Sequence, residues 1–212
     1  MLHSLVWASS GTGFIFLMTT LGAAVVFFFS GEIKLRFQTV MMGFAAGVML
    51  AASVWSLLIP AIDQTRSAGL LPGWLPAALG IVIGAAFLML LDGFISRRGW
   101  GGSGTDTATP LLVTAITIHN IPEGMAVGLA FALASGGEGL AAAGALALGI
   151  GIQNFPEGAA VSLPLRQMGM SRSRAFWTGV LSGAVEPLFG ILVVLASSGV
   201  KPALPWIMSF SA

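Results

Sequence analysis

The sequence predicts an all-α polytopic membrane protein, a bundle of six complete transmembrane helices followed by the start of a seventh. Hydrophobic residues make up 56% of the 212 residues and charged residues only 8%, whereas a soluble domain carries about 25% charged residues. The mean hydropathy is +0.95. Six stretches are apolar over roughly the 20 residues that a helix needs to cross the hydrocarbon core. This composition excludes a soluble domain, a disordered chain and a nucleic-acid-binding protein.

The first three stretches cover residues 6–29, 37–62 and 74–95. No Lys or Arg precedes the first stretch, and it is longer than the apolar region of a secretory signal, so we interpret it as a retained span. The second has no charged residue before Asp63. All are continuous and rich in Ala, Leu and Gly, whereas a β-barrel strand alternates apolar and polar residues over about ten positions.

The other three stretches, residues 110–134, 140–165 and 175–198, complete the bundle. Before them, the Gly-, Ser- and Thr-rich segment 96–109 predicts a flexible loop. Lys and Arg concentrate in alternate connections, because seven follow the first, third and fifth spans and two follow the others. The seven are Lys34, Arg36, Arg97, Arg98, Arg166, Arg172 and Arg174. Since cytoplasmic loops carry the excess of Lys and Arg, segment 96–109 is expected in the cytoplasm. The N-terminus is expected outside the cytoplasm, in a multi-pass protein of the inner cell membrane.

The C-terminal segment begins as an apolar helix and is too short to cross a bilayer. It runs from Leu204, after Pro202, to Ala212. Either it lies at the membrane interface or the chain is cut within a seventh span. A cut is favoured because helices do not end bare within lipid. Residues 1–212 are therefore interpreted as a single transmembrane domain that is truncated at its C-terminus.

The fourth and fifth spans each contain one copy of the same ten-residue pattern. The copies, IHNIPEGMAV and IQNFPEGAAV, agree at seven positions. Two copies in successive antiparallel spans form a quasi-symmetric pair, as in transporters that bind their substrate at the midplane. His119 and Glu123 are four residues apart, as are Gln153 and Glu157, so each pair shares one helix face.

Each copy also contains an asparagine, Asn120 or Asn154, and a proline, Pro122 or Pro156. Proline lacks an N–H group and its ring clashes with the carbonyl four residues before it, so we expect both helices to kink. Carbonyls released in this way persist within a membrane only where protein or a wet cavity satisfies them. The pattern therefore favours a polar environment beside both prolines.

Three glutamates lie in apolar spans that contain no Lys or Arg: Glu123, Glu157 and, in the sixth span, Glu186. Burying one charged side chain at the bilayer centre costs about 2.5–3.5 kcal/mol on insertion scales. Three neighbouring carboxylates must therefore be partly protonated or hold cations among them. With His119 and amide groups nearby, they indicate a site for divalent transition metal, and two ions bridged by Glu123 and Glu157 balance the charge best. Nitrogen and oxygen donors suit Zn, Fe, Mn or Cd better than Cu(I).

Other roles for these polar side chains stay open from the residues alone. A membrane-embedded metallohydrolase could use His119 and Glu123, although the HExxH pattern is absent and only one histidine lies in the spans. A proton-coupled carrier of organic cations could use the acids as proton relays. Hydrogen bonding between helices is a further role. We expect a transporter rather than an enzyme, with no organic cofactor and no nucleic-acid partner.

The repeat and its surroundings resemble the ZIP (Zrt/Irt-like) family of divalent metal transporters, most closely its GufA-like bacterial branch. The resemblance rests on HNIPEG at 119–124, QNFPEG at 153–158, Glu186 with Pro187, and GVMLAAS at 47–53 leading to Ile59 and Pro60. It implies a fold of eight spans with both ends outside the cytoplasm. It also implies transport of Zn²⁺ or a similar divalent ion toward the cytosol, and family members often form homodimers.

The resemblance further implies a binuclear site between spans two, four, five and six, with up to two ions bound as transported substrate. The first position would be held by Met49, His119, Glu123, Gln153 and Glu157. The second would be held by Asn120, Glu123, Asn154, Glu157 and Glu186. Ser56 and Asp63 match positions at the outer entrance of the path. Gln153 stands where many members have His, and Asn154 where the branch can carry Asp, so this site is poorer in nitrogen and in negative charge.

Overall fold

The structure is a computed structural model that describes residues 2–29, 35–98, 108–134, 139–196 and 202–211. Within these ranges every regular element is a helix, which confirms the predicted all-helical class. The helices, in chain order, are α1 (Leu2–Ala24), α2 (Leu35–Ala52), α3 (Ile59–Ala68), α4 (Trp74–Arg98), α5 (Ala108–Ala134), α6 (Leu140–Gln167), α7 (Arg172–Gly183), α8 (Val185–Leu195) and α9 (Leu204–Ser211).

The helices follow the apolar stretches of the sequence in order. A 3₁₀ turn, Val25–Phe28, extends α1, and a π-helical segment, Ser53–Leu58, joins α2 to α3. The helices α4 and α5 extend into the predicted loop 96–109 from both sides, and residues 99–107 lie outside the described part of the chain. By length and composition, two of the described stretches could each cross a membrane, His3–Phe28 and Arg172–Leu195. The number of spans stays a prediction.

Two prolines mark irregularities that the apolar runs do not reveal. Pro60 offers no N–H group to the carbonyl four residues before it, and the π-helical segment ends two residues before it. Pro187 has the same effect on the carbonyl of Gly183, and the sixth stretch is broken there into α7 and α8. By contrast, α5 and α6 continue through Pro122 and Pro156, and the expected kinks stay predictions.

Helix α1 packs against α5, α6, α7 and α8, and α5 packs closely against α8. Glycines allow these approaches. A Cβ atom at Gly124 would lie 2.6 Å from the Cα atom of Glu186, and one at Gly158 would lie 2.8 Å from the amide nitrogen of Ala23. The glycine of each PEG motif therefore brings another helix against the repeat: α8 against the first copy and α1 against the second.

The C-terminal segment forms a helix that packs against α4 and α3. Its contact with α4 also depends on glycine, because a Cβ atom at Gly80 would lie 2.8 Å from the carbonyl carbon of Ser209. At Gly84, one helical turn further, a Cβ atom would meet the carbonyl of Phe210. The apolar segment after Pro202 is thus a packed element of the fold.

Candidate metal centre

All seven predicted ligands that the structure describes with their side chains are buried. His119, Asn120 and Glu123 lie on α5, Gln153, Asn154 and Glu157 on α6, and Glu186 in the first turn of α8. The three glutamates are 0% exposed. None of them reaches the surface of the described structure, and α5, α6 and α8 pack against a common partner, α1. The three helices therefore hold the acidic side chains inside one bundle.

The two copies of the repeat meet through His119, Glu123 and Gln153. The Nε2 atom of His119 lies 3.2 Å from Oε1 of Glu123, one helical turn away. Gln153 donates a hydrogen bond from Nε2 to the same Oε1 atom, and its Nε2 atom lies 3.5 Å from Nε2 of His119. The predicted shared face of His119 and Glu123 is confirmed. The side chain of Gln153 links that face to α6.

Two further hydrogen bonds connect the site to neighbouring helices. Asn120 donates from Nδ2 to the backbone carbonyl of Ser182 on α7, at 2.9 Å. Thr19 of α1 donates from its hydroxyl to Oε1 of Glu186, at 2.8 Å. Asn120 thus makes the bond between helices that is one alternative role for such side chains, while its Oδ1 atom stays without a partner in the described structure.

Seven buried side-chain oxygen atoms of this site have no hydrogen-bond partner among the described residues. They are Asn120 Oδ1, Glu123 Oε2, Gln153 Oε1, Asn154 Oδ1, both oxygens of Glu157, and Glu186 Oε2. A buried polar atom without a partner costs about 1–3 kcal/mol, and more when the group is charged. Most of these side chains present one unpartnered oxygen while the rest of the group is held by protein. These unpartnered oxygens are candidate donors to a cation.

The charges of the site also favour binding of a cation. The charges of Glu123 and His119 act on Glu157, and the charges of Glu123 and Glu157 act on Glu186. The sequence places no Lys or Arg between residues 99 and 165 or between 175 and 200. Burial weakens the screening that water would provide. Protons or cations must therefore balance these carboxylates.

The described side chains do not form a complete set of metal ligands. Among them, no three His, Cys, Asp or Glu groups are already arranged to hold an ion. Three of the seven donor residues are amides, and the amide of Gln153 is hydrogen-bonded to Glu123. An ion bound to His119 and Glu123 would have to replace that hydrogen bond. Rotation of the Gln153 amide would then offer its oxygen atom, for which the described residues provide no hydrogen-bond partner.

The remaining predicted path residues are placed only in part. The side chains of Met49 and Ser56 lie outside the described part of the structure. Asp63 is exposed on α3 and lines a cavity of about 610 Å³ together with Thr65, Pro76 and Trp206. This places Asp63 among α3, α4 and α9. The assignment of Asp63 and Ser56 to the entrance of a path stays a prediction.

The sequence analysis did not identify two residues that contact the site, Thr19 and Ser182. Thr19 is a small polar residue in an apolar span, and nothing in its own sequence neighbourhood pairs it with a glutamate 167 residues away. Ser182 contributes its backbone carbonyl, and a backbone group carries no residue-type signal at all. Only the packing of α1 and α7 against the repeat reveals either contact.

Comparison with known proteins identifies similar chains. The model of a family described as ZIP zinc transporter matches residues 101–212, which include both copies of the repeat and Glu186. The chain is 36% identical to zinc transporter ZIP11 of Homo sapiens, over 99% of this chain and 86% of that protein. It is 37% identical to zinc transporter GufA of Myxococcus xanthus, over 91% and 77%. It is 39% identical to zinc transporter ZIPB of Bordetella bronchiseptica, over 93% and 65%.

Proposed function

The chain belongs to the ZIP family of zinc transporters, and from this premise we propose that it carries Zn²⁺ across a membrane through the buried site between α5, α6 and α8. Its similarity to GufA and ZIPB agrees with the predicted GufA-like branch. Membership of a transporter family confirms the prediction of a membrane transporter that is not an enzyme. The metallohydrolase hypothesis is therefore abandoned.

The observation that carries the proposal is the set of seven buried oxygen atoms that have no partner among the described residues, on stretches of sequence without Lys or Arg. A divalent cation would satisfy several of these atoms at once and offset the charges of the glutamates. The donors are oxygens and one imidazole, which suit Zn²⁺ or a similar divalent transition metal. Zinc is the ion named for the relatives.

We propose two ion positions that share Glu123 and Glu157. His119 and Gln153 complete the first, with Met49 from α2, and Asn120, Asn154 and Glu186 complete the second. Two divalent ions carry four positive charges against three carboxylates. The two oxygens of Glu123 already differ, because Oε1 faces His119 and Gln153 while Oε2 has no partner among the described residues. This difference supports a bridging role.

The same donors suit an ion that must leave again. Structural zinc sites use thiolates, and this chain has no cysteine. Amide oxygens bind more weakly than carboxylates and can be exchanged for water. We propose that the ion enters from the outer side past Asp63 and Ser56, loses its water on the carboxylates, and is released to the cytosol. We also propose that the protein lies in the inner cell membrane with its N-terminus outside the cytoplasm. We further propose that it forms a homodimer.

The test compares Glu157→Gln with Asp63→Asn in the purified protein. Both substitutions remove one negative charge with little change in shape, but only Glu157 lies in the buried site. We expect Glu157→Gln to abolish Zn²⁺ uptake into proteoliposomes and to lower the zinc bound at equilibrium, measured by elemental analysis. Asp63→Asn should keep the bound zinc and slow uptake. Undiminished uptake by Glu157→Gln would refute the proposal, and uptake of an organic cation without bound metal would favour the proton-coupled carrier.

A further inference from the structure

The hydroxyl of Thr19 reaches out of its own helix to a glutamate of the candidate metal centre. Thr19 is 0% exposed on α1, and its Oγ1 atom lies 2.8 Å from Oε1 of Glu186 and 3.3 Å from the carbonyl oxygen of Ile15. A hydroxyl has one proton to donate, and the shorter contact is the one to the carboxylate. The proton of Thr19 is therefore directed at Glu186.

A second buried threonine on the same helix, Thr12, donates its hydroxyl proton to a backbone carbonyl rather than to a carboxylate. Thr12 lies two turns earlier on α1 and is also 0% exposed, but its hydroxyl donates at 2.8 Å to the carbonyl of Ala8. Both threonines direct a methyl group at a glycine, Thr12 at Gly190 and Thr19 at Gly183. The two positions are therefore matched in burial and packing. They differ in the atom that receives the hydroxyl proton.

The bond to Thr19 leaves Glu186 with one oxygen held and one available. Its Oε1 atom is bound by Thr19, while Oε2 has no partner in the described part of the chain. A Cβ atom at Gly183 would lie 3.2 Å from Oε1 and 2.8 Å from the methyl carbon of Thr19. The carboxylate is thus confined between α1 and the end of α7. Helix α1, which supplies none of the predicted ligands, therefore holds one oxygen of this carboxylate.

We propose that Thr19 is a positioning residue that orients Glu186 toward the transported ion, an inference that rests on the proposed function. By holding Oε1, the hydroxyl directs Oε2 at the second ion position and limits rotation of the side chain. The ion then meets a preorganised ligand. Groups that orient metal ligands through hydrogen bonds typically contribute 10- to 100-fold to metal affinity.

The test measures zinc affinity and stoichiometry by equilibrium dialysis of the purified, detergent-solubilised protein. Thr19→Val keeps the branched shape and removes the donor, and Thr12→Val makes the same change at the matched position. We expect Thr19→Val to weaken the affinity of one ion by about 10- to 100-fold, Thr12→Val to bind as the wild type does, and Thr19→Ser to restore binding. Equal affinities of Thr19→Val and Thr12→Val would overturn the inference.

A second pair of substitutions at Thr19 and a substitution at Glu186 provide further controls. Thr19→Ser and Thr19→Ala both remove the methyl group, and only serine keeps the hydroxyl, so this comparison decides the question if the valine variant does not fold. Equal binding by Ser and Ala would contradict the role of the hydroxyl. In a Glu186→Ala background, which removes the acceptor of the Thr19 hydroxyl, Thr19→Val should have little further effect on affinity, because Thr19 acts through Glu186. A wild-type protein that binds no zinc would instead refute the proposed function itself.

Discussion

Replacing Gly124 by alanine tests whether the close contact of α5 and α8 sets the geometry of the candidate metal centre. The added Cβ atom would lie 2.6 Å from the Cα atom and 2.7 Å from the carbonyl carbon of Glu186. Non-bonded carbon atoms pack at about 3.5–4.0 Å. Both obstructing atoms belong to backbone and cannot rotate away, so the two helices must separate by about 1 Å at this level. Glu186 would then move away from Glu123, its neighbour on α5.

A displacement of this size exceeds what a metal site tolerates. Metal–ligand distances in a functional site vary by only about 0.2 Å, and a misplacement of about 1 Å can cost on the order of 100-fold in the activity of a site. We expect Gly124→Ala to weaken zinc binding by about 10- to 100-fold and to slow uptake in proteoliposomes. Overpacking should cost about 1–3 kcal/mol of stability, a modest loss that thermal unfolding in detergent would record.

Gly149→Ala provides the control for this experiment. Gly149 lies on α6, and no atom described beyond its neighbouring helix backbone lies within 4 Å of the added Cβ position. This variant should bind and transport zinc as the wild type does. If Gly124→Ala also matched the wild type in affinity and uptake, the contact of α5 with α8 would not define the site, and the argument from helix separation would be wrong.

Two further predictions concern stability. Gly158→Ala should lower the melting temperature, with a cost of about 1–3 kcal/mol, because its Cβ atom would meet the carbonyl of Thr19 and lie 2.8 Å from the amide nitrogen of Ala23. Gly144 lies on the same helix, and its added Cβ atom would have no described neighbour within 4 Å, so Gly144→Ala should leave the melting temperature unchanged. Equal melting temperatures of the two variants would contradict the tight contact of α1 with α6. Zinc at 100 times its dissociation constant should stabilise the wild type by about 2.7 kcal/mol, and chelator should reverse the effect. Glu157→Gln should show a smaller shift, and an equal shift would indicate that zinc binds elsewhere.

Helix α1 contacts α6 and α7 in a way that its own sequence does not predict. Its apolar run predicts a helix, and the described helix begins and ends within a few residues of that run. Its partners follow from glycines on other helices, Gly158 of α6 and Gly183 of α7, which allow its backbone and Thr19 to approach. A glycine in a span is compatible with close packing but does not identify the helix that will occupy the space. The contact of Thr19 with Glu186 therefore emerged only from the assembled bundle.

The amino-acid sequence alone determined the helical class, the order of the apolar stretches and the identity of the acidic residues. These properties follow from local physics: hydrophobic runs of membrane length, the four-residue spacing that places His119 beside Glu123, and carboxylates without basic neighbours. The tertiary structure alone decided which oxygen of Glu123 and which of Glu186 is held by protein, where Pro187 divides a helix, and that Thr19 contacts Glu186. Those outcomes depend on atoms from helices far apart in the chain, whose mutual placement is set by packing rather than by any local pattern.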